Sequence, residues 1–438
     1  MSSFLQISLQ KLFRHLTLKN KTYYRWIAAS IAAFCLFPTT ASAALRGDVN
    51  GDGSFSAADL VSFSQYILGS GELSKAPDAG NLYADERLDV FDLILMRKEL
   101  VKAPETNIVR VTNTEELKTA LANAKAGDEI VLAEGEYVYS GSTPKGRTFV
   151  GEAEGTETAP IILRSENPDN PSIISGTTME HHYGLTILGD WWELRDLKVT
   201  NASKGIIIDN SNYTKVINCE VYNTGTEGVH IRDNSSYCLV ESCYIHDTGT
   251  ITPKYGEGVY VGSSKSTTEY GHKCDYNTIR NCKIGPNVGA EHVDVKEYTT
   301  GTLIEYCTFD GKGMKGENYA DSFVDLKGND CILRYCTGYR NGETNINRAF
   351  EMNKLDEGWG QNAYIYSNKA YMDTPTNSQG KKMVFLNSWN CTETVWDNWI
   401  AYEDGELVSC DNEEEQWTYY NCNGLTYGDK SMEENLPR

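Results

Sequence analysis

The stretch Val293-Asp-Val295-Lys296 decides the reading of this chain, because its pattern returns throughout the second half of the sequence. Upstream stand Ile206-Ile-Ile208-Asp209, Val229-His-Ile231-Arg232 and Val259-Tyr-Val261-Gly262. Downstream follow Val324-Asp-Leu326-Lys327, Phe350-Glu-Met352-Asn353 and Val384-Phe-Leu386-Asn387. The first and third positions are apolar in every copy, and the second and fourth vary. Period-two alternation sends neighbouring side chains to opposite faces of a strand, so the apolar pair faces a core and the variable pair faces outward. A second recurring strand ends in cysteine: Val216-Ile-Asn-Cys219, Val240-Glu-Ser-Cys243, Ile279-Arg-Asn-Cys282, Ile304-Glu-Tyr-Cys307 and Leu333-Arg-Tyr-Cys336. Five cysteines thus share one coil position and read as a buried thiol ladder, since free cysteine packs as a small hydrophobe. A disulfide within the ladder stays open, because adjacent coils lie only about 4.8 Å apart. No helices alternate with the strands, which excludes a TIM barrel or doubly wound sheet. The period is too short for four-stranded propeller blades. The expectation is an all-β domain, a parallel β-helix of about ten coils over residues 111–438.

Ahead of the repeats, Thr114 to Ala124 reads as an amphipathic helix capped by Thr114, with Leu117, Ala120, Leu121 and Ala124 as its buried stripe. The segment Ala126-Gly-Asp-Glu-Ile-Val-Leu132 then turns into a strand. This helix-then-strand entry resembles that of right-handed, pectate-lyase-like β-helices, in which a helix plugs the open end of the coil.

Residues 44–103 carry a different pattern. Asp48-Val-Asn50-Gly-Asp52-Gly53-Ser54-Phe-Ser56-Ala-Ala-Asp59 sets oxygen side chains at loop positions 1, 3, 5, 9 and 12, with glycine at the sharp sixth position. That spacing suits calcium. A helix, Leu60 to Leu68, follows. A second copy offers Asn81, Asp85, Arg87, Asp89 and Asp92, but Tyr83 replaces an oxygen ligand and Glu86 replaces the glycine, so this loop is degraded; its helix runs Leu93 to Val101. Two such loop–helix units resemble a dockerin. The resemblance implies calcium as cofactor, a cohesin of a cellulosome scaffold as partner, and a neighbour that acts on plant cell-wall polysaccharide. A short linker, residues 104–110, leads on.

Residues 1–43 read as an export signal. Lys11, Arg14, Lys19, Lys21 and Arg25 precede the apolar run Trp26 to Phe37, and Ala41-Ser42-Ala43 supplies the cleavage residues. The protein is expected to be secreted and held on a scaffold at the cell surface. The full chain has 40 Lys+Arg against 61 Asp+Glu, a formal charge of -21, and removal of the signal takes only positive charge with it. Such a surface argues against nucleic acid as a partner, because phosphate binding needs basic residues. It also sits awkwardly with an acidic polymer as substrate.

The outward positions of stacked strands form columns. Position two holds Ile207, His230, Tyr260, Asp294, Asp325, Glu351 and Phe385; position four holds Asp209, Arg232, Gly262, Lys296, Lys327, Asn353 and Asn387. Two residues before each strand stand Glu227, Glu257 and Glu291, then Ser322 and Arg348. Stacked acids repel unless cations intervene. A calcium ion held by Glu257, Glu291, Asp294 and Asp325, together with Lys296 and Lys327, would resolve that repulsion. The same set suits β-elimination at a uronic acid, which needs a cation at the carboxylate, a base for the C5 proton and a donor for the departing O4. Two lysines on adjacent coils beside a calcium ion would depress each other's pKa, leaving one neutral at mildly alkaline pH. His230, Arg232, Tyr260, Arg348 and Asn353 are the candidate substrate binders, and Tyr255, Tyr298, Tyr319 and Trp359 are candidate sugar-stacking rings. His181-His182 and Trp191-Trp192 read as packing.

Gly289-Ala-Glu291-His-Val-Asp-Val-Lys296 resembles the chondroitinase B and alginate lyase family, in which a metal-binding Glu stands five residues before a Lys base. One coil on, Lys327-Gly-Asn329 stands where that family carries Arg before its own turn. The resemblance implies a calcium-assisted polysaccharide lyase with Lys296 or Lys327 as base. The family's second metal-binding Glu falls on Gly289, and Lys312 to Asp321 are additional. Pectin is the expected polymer given the dockerin-like module. Two other readings stay open: a polygalacturonase-type hydrolase using Asp294, Asp325 and Glu351, and a non-catalytic glycan-binding β-helix.

Overall fold

The computed structural model describes residues 45–73, 77–83, 85, 87–100, 106–141, 146–411 and 418–437. The export segment, Glu86 and part of the linker lie outside the described residues. The chain divides into two compact units between Lys102 and Ala103.

The smaller unit is a pair of loop–helix repeats. Helix α1 (Ala57–Ile67) is opened by a reciprocal cap: the Ser56 hydroxyl accepts from the Ala58 amide while Asp59 accepts from the Ser56 amide at 2.9 Å. Helix α2 (Val90–Leu100) packs against it. Val49, Phe63, Leu82 and Met96 form the core, matching residues of the two repeats. Matching carboxylates also lace the loops: Asp59 accepts from the Val49 and Asn50 amides, and Asp92 accepts from those of Tyr83 and Asp89.

The larger unit is a parallel β-helix. Among the described residues, three sheets of twelve, ten and eleven strands run its length. Among the described strands, pairing is parallel between counterparts one coil apart, except that Trp399–Ala401 runs antiparallel to Val408–Ser409 and single antiparallel bridges occur, as at Trp389 with Cys422. Helix α3 (Thr114–Asn123) packs on the first strands through Leu117 and Leu121. Its cap is Asn113 rather than Thr114: the Asn113 side chain accepts from the Glu116 amide at 3.0 Å, and Thr114 donates instead to the Val138 carbonyl.

The ten-stranded sheet carries the repeated tetrapeptides. Its relevant strands are β1 (Ile206–Asp209), β2 (Val229–Arg232), β3 (Val259–Val261), β4 (Val293–Val295), β5 (Val324–Leu326), β6 (Arg348–Asn353) and β7 (Val384–Trp389). The inward pairs Ile206/Ile208, Val229/Ile231, Val259/Val261 and Val293/Val295 are wholly buried. At about 1.5–3 kcal/mol per buried aliphatic side chain, these ladders are the main stabilising term. The five cysteines stack as free, buried thiols, each Sγ donating to the carbonyl two residues back, as Cys243 does to Glu241 at 3.3 Å. At the far end asparagine takes over the position: Asn368 accepts from the Cys336 amide and donates to Asn398. Trp192 is buried as read, and Trp191 begins an outer stack with Tyr213, Tyr237 and Tyr276.

One register differs from the sequence reading. Strands β1 to β6 align as expected, with Tyr260, Asp294, Asp325 and Glu351 side by side. In β7, however, Glu351 pairs with Asn387 and Asn353 pairs with Trp389. Phe385 therefore leaves the groove row and packs edge-on against Phe350, wholly buried. A shift of two residues preserves which side chains face inward, so the alternation of polar and apolar residues is blind to it.

Candidate active site

The outward face of β2 to β7 floors a groove of about 1110 Å³. Its walls are loops between strands. The turn Pro253–Tyr255 packs against Glu317–Tyr319, which belongs to the additional segment after Lys312. On the other side Ser264, Ser266, Thr267 and Tyr270 line the groove, and the Lys265 ammonium donates to the Leu355 carbonyl. Eight acidic and five Lys or Arg side chains line the groove, so it is acidic before anything binds.

At its centre Glu257, Glu291 and Asp294 bring carboxylate oxygens within 4.8 Å of one another, all three buried. Glu257 Oε2 has no hydrogen-bond partner. Burial, reinforced by the charges of Glu227, Asp294 and Glu291, holds the Glu257 carboxyl well above the usual range. Burial and Asp294 push Glu291 up to about 8. Three buried, mutually repelling carboxylates with an orphaned oxygen are a donor set that fits a hard divalent cation such as calcium. Asp325 does not join them. Lys327 holds it at 2.5 Å and Asn353 donates to it, so it stands in a separate ion pair one strand away. Gly289 has no room for a ligand, since a Cβ there would meet the Pro253 carbonyl at 2.9 Å.

The two lysines differ. Lys327 is buried and bridges Asp294 (2.6 Å) and Asp325. Lys296 touches Asp294 alone (3.0 Å), keeps 12% of its side chain exposed, and lies 5.2 Å from the centre of the Tyr260 ring. Burial opposes both charges, yet Asp294 and Asp325 hold both lysines above their ordinary pKa. Between the side chains themselves, then, the carboxylates outweigh the second ammonium. Tyr260 is half-buried, and among the described residues nothing hydrogen-bonds its hydroxyl. Burial, then the charges of Asp294 and Glu257, push the phenol well above its usual pKa, so it keeps its proton.

The other candidates line the groove but are already engaged. Arg232 binds Asp209 through two nitrogens (2.5 and 3.1 Å) and lies 3.9 Å over the Tyr270 ring, so its guanidinium is not free for a substrate carboxylate. Arg348 is held by Asp321 and Glu351. His230 Nε2 donates to the Gly262 carbonyl at 3.0 Å, which leaves Nδ1 as the bare nitrogen, 3.4 Å from Glu227. Burial lowers its pKa, so His230 acts as a neutral hydrogen-bond acceptor and not as a cation. Tyr255 and Tyr319 line the groove, whereas Tyr298 and Trp359 pack on each other in a loop, with Tyr298 donating to Asp356. His181, read as packing, lines the groove as well. The sequence reading missed Tyr183, Lys204, Tyr270 and Trp389. Lys204, which neutralises Glu227, stands outside every repeated tetrapeptide, and Trp389 was hidden by the register of β7.

Residues 103–287 match the family model for the Pel9A-like, right-handed β-helix region. No curated protein matches the chain. Among solved structures, the alginate lyase from Paenibacillus sp. str. FPU-7 is 38% identical, with a TM-score of 0.63, covering 74% of this chain and 98% of that one. Pectate lyase Pel9A is 16% identical over 70% of this chain and 80% of its own, with a TM-score of 0.45. The PL6 family alginate lyase AlyGC is 13% identical over 72% and 57%, with a TM-score of 0.33. The last two are too remote to carry any assignment within the groove. With a Pel9A-like right-handed β-helix and close to the whole length of the Paenibacillus enzyme spanned at this identity, the chain belongs to the same β-helix lyase family.

Proposed function

We propose that this protein is a polysaccharide lyase that cleaves a uronate-containing glycan by β-elimination in the groove of its β-helix. The observation that carries the reading is the juxtaposition, on adjacent strands, of the carboxylate trio Glu257/Glu291/Asp294, the partly open Lys296 and the unengaged Tyr260 hydroxyl. Glu257, Glu291 and Asp294 would hold calcium, which when bound neutralises the substrate carboxylate and acidifies the neighbouring C5–H. Lys296 is the better base of the two lysines, because it gives up one carboxylate contact where Lys327 would give up two. Calcium on Asp294 would offset the carboxylate charge that now holds the Lys296 pKa up, which favours the neutral amine that a base requires. Tyr260, kept protonated, is the donor for the departing O4. Lys327 fixes Asp294 and Asp325 in place.

A hydrolase reading has less support, since Asp294 and Asp325 are bound to lysines and Glu351 to Arg348. The relative's name puts alginate first as substrate, while a dockerin-like module favours a plant polyuronate of the pectin type. For that module we propose calcium in the Asp48–Asp59 loop and docking on a cohesin, supported by exposed Val61, Phe91 and Ile94 on its two helices and by Leu68 at the end of the first. Export and scaffold attachment complete the reading.

The test is incubation of the purified protein with alginate, polygalacturonate, glucuronan and dermatan, with calcium or with chelator. Calcium-dependent ultraviolet absorbance from unsaturated uronate supports elimination. New reducing ends without absorbance would mean hydrolysis, and neither signal on the whole panel would leave a binding module.

A further inference from the structure

We propose that Trp389 is a distal sugar platform, stacking on a pyranose ring of the uronate chain three coils beyond Lys296. The inference rests on the reading of the groove as a polyuronate site and adds where, and by what chemistry, the chain is gripped away from the reacting bond.

The two-residue shift of β7 sets Trp389 opposite Asn353, at the end of the row that contains Lys296 and Lys327. Its indole is 51% exposed and lines the groove, whereas the indoles of Trp192 and Trp396 are buried. Leu355 beside it is also exposed and lines the groove. From β4 to β7 are three strand spacings, about 14 Å at the usual interval between paired strands. An extended pyranose chain lying along the coils advances by nearly one coil per residue, so a sugar three residues from the cleaved bond reaches the indole.

The chemistry changes along the same row. The charged part of the floor ends at Arg348 and Glu351, which are paired to each other. Beyond them stand Asn387, whose amide is spent on Glu351, and then Trp389. Among the described residues, every Lys and Arg that lines the groove is paired with a carboxylate, and the Lys265 ammonium in the wall is taken up by the Leu355 carbonyl. What a uronate ring arriving there meets is a flat apolar face, which grips the C–H face of a sugar through dispersion and burial. Binding at this end therefore discriminates by chain length and ring shape, not by charge, and resists added salt.

The experiment compares wild type, Trp389→Ala and Trp389→Phe on trimers and hexamers of the uronate that wild type cleaves. For the hexamer, Trp389→Ala should lose about tenfold in kcat/KM, the size of one ring-stacking contact, mostly through KM. The trimer should be cleaved as by wild type, Trp389→Phe should recover most of the loss, and the loss should not shrink at high salt. Equal losses on both lengths, or no loss, would overturn the proposal. If wild type gives unsaturated product from no polyuronate, the lyase reading fails separately. Retardation in polyuronate-containing native gels then decides on Trp389: weaker retardation of Trp389→Ala upholds the platform, and retardation equal to wild type, or none in either, overturns it.

Discussion

Replacing each lysine by methionine, one at a time, separates chemistry from architecture in this groove. Lys296 makes one carboxylate contact at 3.0 Å and is partly open, while Asp294 keeps Lys327 at 2.6 Å when Lys296 is gone. Lys296→Met should therefore cost only about 1 kcal/mol of stability, the net value of one hydrogen-bonded contact. If Lys296 is the base, the rate should fall by roughly 10²–10⁴-fold, the usual worth of a positioned proton acceptor. Lys327 is the opposite case. Its removal leaves Asp325 buried with no cation and only the Asn353 amide, while Asp294 keeps Lys296, and breaking a buried pair from one side costs about 3–5 kcal/mol. Lys327→Met should thus unfold at distinctly lower urea, whereas Lys296→Met should unfold near wild type. Initial rates from the absorbance of unsaturated uronate give the first number and urea midpoints the second. Lys296→Met with more than a tenth of wild-type activity, or Lys327→Met as stable as wild type, would refute the division of labour.

Other outcomes can be checked alongside. Arg232→Ala should cost about 3 kcal/mol in urea unfolding, because Asp209 is left buried with Arg147 alone. Burial opposes the Asp209 charge, but Arg232 holds its pKa below the ordinary value, so the stability it confers is present above pH about 4 and lost on acidification through the depressed pKa. In Arg232→Ala that acid-side loss should flatten. Calcium at a hundredfold excess over Kd should stabilise the wild-type β-helix by about 2.7 kcal/mol, and Glu257→Gln should abolish most of that shift in calorimetry. Ten of the eleven described cysteines are buried, so in the native protein only the partly exposed Cys422 should react with a thiol reagent, and the other ten only after denaturation.

Most of the fold was legible because its signal is repeated. Seven tetrapeptides with apolar first and third positions specify stacked strands more strongly than any one of them could, and the five cysteines mark a second column in the same way. The floor of the site followed from those columns: Tyr260, Asp294, Asp325 and Glu351 do lie side by side. What failed was whatever depends on distances within a column. Glu257, Glu291 and Asp294 converge while Asp325 turns to Lys327, a choice made by side-chain reach that spacing does not encode. Both lysines are held above their ordinary pKa by Asp294 and Asp325, and that contact geometry is likewise not encoded in the spacing. Tyr183, Lys204 and Tyr270 come from segments outside the repeats, where no register exists to place them.

The register of β7 bears on how such a groove changes over evolutionary time. Inserting or deleting two residues in a turn would slide one strand along its neighbour, exchanging every side chain it offers to the substrate and leaving its inward row apolar. Substitution alters such a surface one contact at a time and risks the core when it errs. Paired insertions would instead re-deal a whole rung at once, as here Asn387 stands where Phe385 would otherwise meet Glu351 and Trp389 where Asn387 would otherwise meet Asn353. Length variation in turns, more than point change in strands, is then the route by which relatives of this protein would acquire new polymers.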